Sequence, residues 1–443
     1  MQKHLFRKVS ATVLTVAMLA TSVFAASWGT IQGGGAAPND HNGLSPDAPT
    51  AVSAGFPKQV SLTKTGSGWD GVDNAPVMQS LADGTTYAYV LYDGYKDGAR
   101  LSKIDCAAGA ETWSIVVGDT SGFQLSTPLL VQGGDDTTDT DDAIYAAVQY
   151  SGGSKIVQVS DLSDPTVTVL ATVTGQINTP VTTDGAYLYY GTWNGDGTPE
   201  GSSLPGHFFQ MSISDPTSVK KVAAAEKGFY WAGATVVGDH VYFGGDNGYL
   251  YYTTVTGFNA KTTKNIKLTS YEDDAGNVRS TVTYDGTNLY FTSQGGYLWC
   301  FTIGNNGVPT HSWHVAVGST STSTPTVTAD TVYVGYYKGF NNGGVASVNK
   351  NTHVVTQVID GTTTSANGFP VQSSIVVNQQ ADGDYLYFNT NSGSGAGYCY
   401  KADGTHVWDT TTAAGNTYAL GGMASCGGYM VFGNDYNNFY VVK

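Results

Sequence analysis

The chain repeats one short pattern of polar and apolar positions along most of its length. In "STPTVTADTVYVGYYKG", residues 323 to 339, small polar residues and a proline precede two alternating apolar stretches, which a turn at Ala329 and Asp330 separates. The same order recurs in "NTPVTTDGAYLYYGTWNG" from Asn178 and in "STVTYDGTNLYFTSQGG" from Ser280. Because alternation of apolar and polar positions is typical of half-buried strands, each copy predicts strands joined by tight turns.

Eight copies of this pattern can be aligned on the centre of their second predicted strand. The aligned residue is a tyrosine in every copy except the last: Tyr89, Tyr145, Tyr189, Tyr242, Tyr290, Tyr333, Tyr387 and Val431. The copies lie 43 to 56 residues apart, which is the length of four short strands with their turns, and such a period indicates a propeller or a solenoid. We therefore predict an all-β fold, an eight-bladed β-propeller of four-stranded antiparallel blades.

The two ends of the chain predict how the ring closes. The last copy ends after its third strand, "NNFYVVK", whereas a strand outside the copies, "FPKQVSLTK" from Phe56, precedes the first copy. If this N-terminal strand becomes the fourth strand of the eighth blade, the ring is joined and an exposed edge is removed. The alternative is seven blades with an additional irregular hairpin.

Composition favours strands over helices and narrows the class of partner. The chain contains 57 Gly and 29 Tyr but only four Glu, and helices prefer Glu whereas strands prefer Tyr, Val and Thr. We therefore expect almost no helix. The net charge is −15, and the only arginines beyond the first 25 residues are Arg100 and Arg279, which disfavours nucleic acid or an anionic membrane as a partner.

The first 25 residues have the pattern of a secretory signal peptide. Lys3, Arg7 and Lys8 precede the apolar stretch "VSATVLTVAMLATSVFA", which ends in small residues suited to cleavage after Ala25. We predict a signal peptide at 1–25, a lead-in segment at 26–55 and a single propeller at 56–443. Since no later apolar run is long enough to span a bilayer, we expect the mature chain to be secreted, extracellular or periplasmic, without membrane insertion.

Four cysteines in an exported chain allow three full disulfide pairings. Cys106 and Cys300 fall in repeats that a closed ring places far apart, whereas the repeat of Cys426 neighbours those of Cys399 and Cys106. We favour the interpretation that all four are buried packing residues.

The complete repeat has a tail of the form D-x-x-x-G-x-x-x-W, as at Asp105, Gly109 and Trp113. With this tail it resembles the repeat of the PQQ-like (pyrroloquinoline-quinone-like) propeller family, and "SWGTIQGGGAAPNDHNG" from Ser27 is similar to the segment that often precedes the first blade there. The resemblance covers residues 27 to 443 and implies a propeller. It also implies one of two functions, because the family contains quinoprotein dehydrogenases, which hold the quinone and usually Ca²⁺ at the axis, and non-enzymatic members such as the propeller lipoprotein of outer-membrane barrel assembly.

The residues that the resemblance would imply for a quinoprotein are not evident. No Cys-Cys pair occurs, and two arginines leave little positive charge to neutralise a tricarboxylate cofactor. Motifs of the form Gly-x-Ser-x-Gly, His-Glu-x-x-His or a phosphate loop do not occur either. We therefore predict no catalytic residues and no resident quinone, and we keep a PQQ- and Ca²⁺-dependent dehydrogenase, or a degenerate quinone-binding member, as the alternative function.

One acidic loop is a candidate calcium site. In "GGDDTTDTDDA" the residues Asp135, Asp139 and Asp141 alternate, and hard oxygen ligands at such positions suit Ca²⁺. The loop lacks the turn glycine and the closing Glu of a specific calcium loop, so a solvated acidic loop is favoured. His311 and His314 are a second possible metal pair, but residues three apart on a regular strand point to opposite faces.

Aromatic residues end several predicted second strands, which all leave the propeller on one face. With the Asn and Asp beside them they give the candidate ligand-binding residues Tyr92, Tyr150, Trp193, Asn194, Asp196, Tyr336, Tyr337 and Tyr436. Aromatic platforms among Asp and Asn suit a sugar or a protein partner, and the alternative is that the rings only cap the blades. We predict a secreted, non-catalytic binding scaffold for a protein or polysaccharide of the cell envelope.

Overall fold

The fold is an eight-bladed β-propeller. A computed structural model describes residues 27–29, 33, 41–119, 121–133, 138–150, 152–194, 205–224, 226–360 and 368–443. In this part of the chain the strands form eight antiparallel sheets, and a 3-10 helix at Leu268–Ser270 is the single helix. No helix among the described residues is long and apolar enough to cross a membrane. The predicted all-β class and the eight blades are confirmed, and the seven-bladed alternative is wrong.

Two strands precede the first complete blade, and four blades then follow in chain order. The two early strands are β1 (Ser27–Trp28) and β2 (Lys58–Ser61). The strands of blades one to four are β3 (Val77–Ser80), β4 (Thr86–Asp93), β5 (Ala99–Asp105) and β6 (Ala110–Val116); β7 (Leu129–Val131), β8 (Ala143–Tyr150), β9 (Gly153–Ser160) and β10 (Val167–Val173); β11 (Thr182–Thr183), β12 (Tyr187–Gly191), β13 (His207–Ser212) and β14 (Val219–Ala223); and β15 (Thr235–Val237), β16 (His240–Gly244), β17 (Tyr249–Thr254) and β18 (Lys264–Lys267).

The remaining blades repeat this order. Their strands are β19 (Thr283–Tyr284), β20 (Asn288–Ser293), β21 (Tyr297–Ile303) and β22 (Pro309–Ala316); β23 (Thr326–Val327), β24 (Thr331–Lys338), β25 (Asn342–Asn349) and β26 (Val355–Asp360); β27 (Val376–Gln380), β28 (Gly383–Asn389), β29 (Gly397–Lys401) and β30 (His406–Asp409); and β31 (Ala424–Cys426), β32 (Tyr429–Gly433) and β33 (Asn438–Val442). First strands of neighbouring blades contact each other, so the first strand of each blade lies at the axis and the fourth lies outermost.

The N-terminal strand closes the ring as predicted. Strand β2 pairs antiparallel with β33, from Lys58 opposite Val441 to Ser61 opposite Asn438. Blade eight therefore takes its outermost strand from the beginning of the chain, and its edge is covered.

The hydrophobic core lies between the faces of neighbouring blades. Val77 and Leu91 of blade one share a buried cluster with Ile144 and Val157 of blade two, and similar clusters join the other blades around the ring. The aligned tyrosines of the second strands are buried in these clusters. Since one blade is too thin to bury its own faces, the repeat specifies the closed ring.

The small residues before the first strands link neighbouring blades near the axis. Thr283 Oγ1 donates a hydrogen bond of 2.6 Å to the carbonyl of Pro325, and the amide of Thr281 donates to Thr324 Oγ1 at 3.1 Å. The same kind of bond occurs between other blade pairs. Pro325 directly precedes β23, so its missing amide donor costs the strand no ladder bond.

The lead-in segment adds a strand on the axial side of blade one. Strand β1 pairs antiparallel with β3, with Ser27 opposite Gln79 and Trp28 opposite Met78, so this blade has five strands. The carbonyl of Gly29 then accepts a hydrogen bond of 2.7 Å from the amide of Leu130 in blade two.

Residues further along the lead-in segment bind the other side of the ring. The side chain of Asn42 donates to the carbonyl of Val327 and accepts from its amide, both at 2.8 Å. His41 Nε2 lies 2.9 Å from the carbonyl of Ala234, and Ser45 Oγ donates to Ser425 Oγ at 3.0 Å. These partners lie on first strands or directly beside them, so the lead-in segment crosses the axis and closes one end of the central channel.

All four cysteines are buried, and none of them is part of a disulfide. Burial raises the pKa of the Cys426 thiol to about 12 and also raises the pKa of Cys106, so neither thiol ionises near neutral pH. The prediction that they are buried packing residues is confirmed.

Candidate binding funnel

The other end of the central channel opens as a funnel. At this face, the open face, second strands turn into third strands, and the chain passes from one blade to the next. The funnel is a cavity of about 770 Å³, and it continues into a narrower space of about 60 Å³ between the starts of the first strands. Asp73, Leu125 and Trp231 line both spaces. The lead-in segment binds further along the same strands, so the funnel ends there.

The funnel is lined by one equivalent position from every blade. In each blade, one residue of the first strand pairs with the aligned tyrosine or valine of the second strand. The lining position lies four residues before that first-strand residue. We call these residues the axial ring: Asp73, Leu125, Asn178, Trp231, Arg279, Thr322, Gln372 and Leu420. The aligned position of the second strand is nearly always tyrosine, whereas the axial ring changes its side chain from blade to blade.

Aromatic side chains surround the mouth of the funnel. Trp69, Phe340 and Phe123 line it and are 63%, 56% and 47% exposed. The ring of Trp69 lies 5.5 Å from that of Tyr436, and the ring of Phe340 meets Tyr418 edge to face at 5.7 Å. Folding alone favours the burial of aromatic rings in the core. Exposed rings gathered around a cavity therefore indicate a binding surface.

Carboxamides supply the hydrogen-bonding groups of the wall. They are Gln149, Gln176, Asn178, Gln372 and Asn391. Asn178 is only 1% exposed, yet neither its Nδ2 nor its Oδ1 has a hydrogen-bond partner among the described residues. A buried amide without partners costs roughly 1–3 kcal/mol, so Asn178 is a candidate to contact a ligand.

Two carboxyl groups lie together at the floor. Asp73 precedes β3 and is 3% exposed, and it shares a hydrogen bond with Asp435, which lies between β32 and β33. Burial, followed by the charges of Asp435, Asp70 and Asp93, raises the pKa of Asp73 well above its ordinary value. Burial, with the charge of Asp70, raises the pKa of Asp435 to about 7. The pair therefore retains a proton near neutral pH.

Arg279, across the axial ring from Asp73, is held by an ion pair. Its Nε and one terminal nitrogen donate to the two oxygens of Asp246 at 2.6 and 3.0 Å, and Trp193 Nε1 donates to the same carboxylate at 3.1 Å. Burial lowers the pKa of Arg279, but the bonds and charge of Asp246 outweigh it and raise the pKa. The guanidinium also lies 4.2 Å from the ring centre of Tyr230, so its charge is already balanced within the wall.

The predicted residues of blades one and two lie in different surroundings. Tyr92 is buried, and its hydroxyl lies 2.9 Å from Ser102 Oγ and 3.0 Å from Ser114 Oγ, so its ring packs within the blade and does not face the open face. Tyr150 is half-buried, with the ammonium of Lys155 4.6 Å from its ring centre.

Two predicted residues of blade three support the funnel wall. Trp193 meets Tyr230, a lining residue, edge to face at 5.2 Å. Asn194 is buried, and its Oδ1 accepts a hydrogen bond of 2.8 Å from the amide of Gln176. Asp196 lies outside the described residues.

The predicted residues of blades six and eight divide between packing and the mouth. Tyr336 is half-buried, and burial raises its pKa to about 12. Burial also raises the pKa of Tyr337, against a smaller lowering by the charge of Arg279. Tyr436 is 39% exposed and stands beside Trp69 at the mouth. The structure thus brings Trp193 and Tyr436 to funnel aromatics, and ligand binding by the set stays a prediction.

The predicted calcium loop contains an ion pair. The carboxylate of Asp139 binds the ammonium of Lys103, which also bonds Asp161 at 2.9 Å. Asp135 lies outside the described residues, and among those described no group of three or more Asp, Glu, His or Cys side chains could hold a metal ion. Calcium binding by Asp135, Asp139 and Asp141 stays a prediction, and it requires Lys103 to release Asp139.

His311 and His314 point to the same side of β22, so the expectation of opposite faces is wrong. The pairing of β21 with β22 shifts by one residue between Cys300 and Phe301, and such a bulge interrupts the alternation of side chains. His311 Nε2 consequently lies 3.1 Å from His314 Nδ1.

Most residues that line the funnel do not lie at the ends of second strands, where the sequence predicted the binding residues. Asp73, Trp231 and Gln372 precede first strands, where the sequence analysis noted only the small residues and prolines. A signal was present, because these positions vary between copies beside residues that are repeated. The alignment on the second strand did not reveal it, since the spacing to the axial ring differs between copies and becomes constant only when strand pairing is known.

Comparisons with known proteins support the fold alone. No family model matches the sequence, and no curated protein matches it. The structure is similar to Sqt1 from Saccharomyces cerevisiae, with a TM-score of 0.57 at 11% identity over 88% of this chain and 99% of that one. It is also similar to the designed protein Ika8 (TM-score 0.53, 9% identity, 87% and 99% covered) and to BamB from Moraxella catarrhalis (0.51, 14%, 86% and 96%). The chain is a β-propeller scaffold.

Proposed function

We propose that the protein is an exported, non-catalytic binding propeller whose funnel holds the end of a polysaccharide chain of the cell envelope. The observation that carries the proposal is the axial ring, in which eight equivalent positions meet at one cavity with different side chains. A ring that served only the architecture would need no such variety. A site that fixes an asymmetric ligand needs different groups around it.

The chemistry of the lining suits a saccharide. Aromatic rings offer apolar faces to the C–H faces of a sugar, while the carboxamides and carboxyl groups offer donors and acceptors to its hydroxyls. Both kinds of group alternate in the funnel, as with Trp231 beside Asn178 in the axial ring. A cavity that is closed at its far end favours a chain end over the middle of a chain.

Export and family are further parts of the proposal. The charged and apolar pattern of residues 1–25 supports a signal peptide. The repeat motif and the similarity in fold to BamB support a place in the non-enzymatic branch of the PQQ-like family.

The funnel does not fit the quinone of the alternative function. Pyrroloquinoline quinone is a tricarboxylate, so its site needs positive charge. Arg279 lines the narrow space but is held by Asp246, and the carboxyl groups of Asp73 and Asp435 face the same cavity. We therefore derive no reaction through this cofactor.

A protein partner is the second candidate, and the exposed rings at the mouth favour it. Trp69, Phe123, Phe340 and Tyr436 are at least 39% exposed, and aromatic residues are enriched at protein interfaces. Because these rings stand at the mouth of the funnel, a protein partner would use the rim and not the axial ring.

The experiment is binding of the purified mature protein to an array of defined envelope-type oligosaccharides, followed by calorimetry with those that bind. We expect Asn178→Ala to weaken binding about tenfold, the effect of losing one well-placed polar contact. Asn351→Ala, an exposed amide of the outer surface, is the matched control and should bind as wild type. Absence of binding to every oligosaccharide would reject the saccharide proposal and leave the protein partner.

A further inference from the structure

The floor of the funnel carries acidic groups that no cation of the described chain neutralises. None of the ion pairs among the described residues includes Asp73 or Asp435. Arg279 is held by Asp246, and the ammonium of Lys64 bonds the carbonyl of Tyr436 at 2.7 Å. The acidic pair therefore lies at the end of a cavity without a counter-charge of its own.

The atoms of this floor are also short of hydrogen-bond partners. Apart from the hydrogen bond that the two carboxyls share with each other, Asp73 Oδ2 and Asp435 Oδ1 are buried without a partner in the described chain, and both residues line the funnel. Asn178, in the same lining, has both amide atoms buried without partners. Buried polar atoms nearly always have partners, so three such residues facing one cavity indicate a polar ligand that binds there.

The surroundings favour an organic cation over a metal ion. Trp231 lines both the funnel and the narrow space together with Asp73, and an ammonium group is attracted to aromatic faces as well as to carboxylates. No group of three or more acidic, His or Cys side chains among the described residues could hold a metal. The same acidic floor repels an anionic sugar.

We infer that the floor of the funnel is a subsite for a protonated amine, with the carboxyl pair of Asp73 and Asp435 as its counter-charge. This inference rests on the proposed function, and it makes the saccharide one with a free amino group. The ammonium donates hydrogen bonds to Asp73 Oδ2 and Asp435 Oδ1, the two oxygens without partners. Acetylation of the amine removes its charge and replaces donors by a methyl group, so the subsite selects against the acetylated sugar.

A matched pair of ligands tests the inference. Calorimetry at pH 7 and low salt compares the tetramer of β-1,4-linked glucosamine with the tetramer of N-acetylglucosamine, which differ only in the amine. We expect wild type to bind the glucosamine tetramer at least tenfold more tightly. The double variant Asp73→Asn with Asp435→Asn, which keeps the shape and removes both carboxyls, should make the two affinities equal. Asp164→Asn, at an exposed aspartate, should retain the preference.

Each other result has a distinct meaning. Equal affinities of wild type for the two tetramers would reject the amine subsite and leave the saccharide proposal standing. Binding of neither tetramer, nor of any array oligosaccharide, would reject both. Heat release on titration with calcium chloride alone, lost in Asp73→Asn, would assign the floor to a metal and overturn the inference. If thermal unfolding shows that the double variant is not folded, Asp73→Asn and Asp435→Asn are measured singly, and each should weaken the preference for the glucosamine tetramer.

Discussion

Asparagine side chains at the two ends of the central channel differ in their hydrogen bonding. At the closed end, Asn42 has two hydrogen bonds of 2.8 Å to Val327. Asn42 is half-buried, whereas Asn178 at the open end is fully buried and has none among the described residues. Because a buried amide is stabilising only when it is bonded, the first serves folding and the second does not.

This difference separates architecture from recognition within a single repeat. The hydroxyls beside the first strands and the tyrosines of the second strands recur because every blade must join its neighbours in the same way. The axial ring lies next to those hydroxyls and does not recur. Asp73 and Asn178 of the axial ring have buried polar atoms without partners among the described residues, and a ligand can supply those partners.

The largest effect on stability is expected from removing the side chain of Trp28 at the closed end of the channel. Trp28 is buried in a cluster that also contains Val376 and Met423. Trp28→Ala should lower the free energy of unfolding by about 3–5 kcal/mol, since it leaves a large cavity. Chemical denaturation followed by circular dichroism measures the change. An unaltered unfolding midpoint would show that the lead-in segment does not stabilise the ring.

The acidic floor should make the protein less stable as the pH rises. The pKa of Asp435 is raised to about 7 in the folded chain and that of Asp73 is raised as well, so the folded state keeps protons that the unfolded state loses above about pH 4. Stability is then lost from about pH 4 up to about pH 7, and we expect a loss of roughly 2–4 kcal/mol between pH 5 and pH 8.

The variant Asp73→Asn isolates this contribution from other groups. It removes one of the two paired carboxyls, while Asp70 and Asp93, whose charges also raise the pKa of Asp73, remain. Thermal unfolding from pH 5 to pH 8 should show a smaller decline than in wild type, with the variant the more stable protein at pH 8. Parallel curves for the two proteins would mean that the pair titrates normally and is not desolvated.

The fold was predictable because it depends on repeated residues. Eight copies, the strand order within a copy and closure by the strand from Phe56 all follow from periodicity and from the unmatched ends of the chain. The lead-in segment was not expected to cross the axis, because its contacts through His41 and Asn42 join residues far apart in sequence and follow no period.

The funnel was less predictable for a related physical reason. Tyr92 lies within β4 and is buried, whereas Tyr436 lies in the turn after β32 and is exposed. His311 and His314 share a side only because of a bulge. The pairing of Asp73 with Asp435 joins the two ends of the chain and requires the closed ring.

Replacing Asn42 and Asn178 by alanine, one at a time, tests this comparison of the two ends directly. Asn42→Ala removes the bonds to Val327 and should destabilise the protein by about 1–3 kcal/mol without changing oligosaccharide affinity. Asn178→Ala removes an amide whose burial without partners costs roughly 1–3 kcal/mol, so it should not lower the free energy of unfolding. Denaturation curves of both variants give the two numbers. A larger loss of stability in Asn178→Ala than in Asn42→Ala would contradict the division between a bonded and an unbonded end.

The smallest effect on stability, with a separate effect on binding, is expected at the mouth of the funnel. The ring of Trp69 is 63% exposed and rests on Tyr436, so Trp69→Ala should alter the free energy of unfolding by less than about 0.5 kcal/mol. Loss of its apolar face should weaken binding of the tetrameric saccharides about tenfold, or about 1.4 kcal/mol, equally for the amine and the acetylated form because the ring is not part of the acidic floor. Calorimetry should then show that Trp69→Ala, at the open end, loses affinity. Chemical denaturation should show that Trp28→Ala, at the closed end, loses stability. Unchanged affinity in Trp69→Ala would restrict the site to the axial ring.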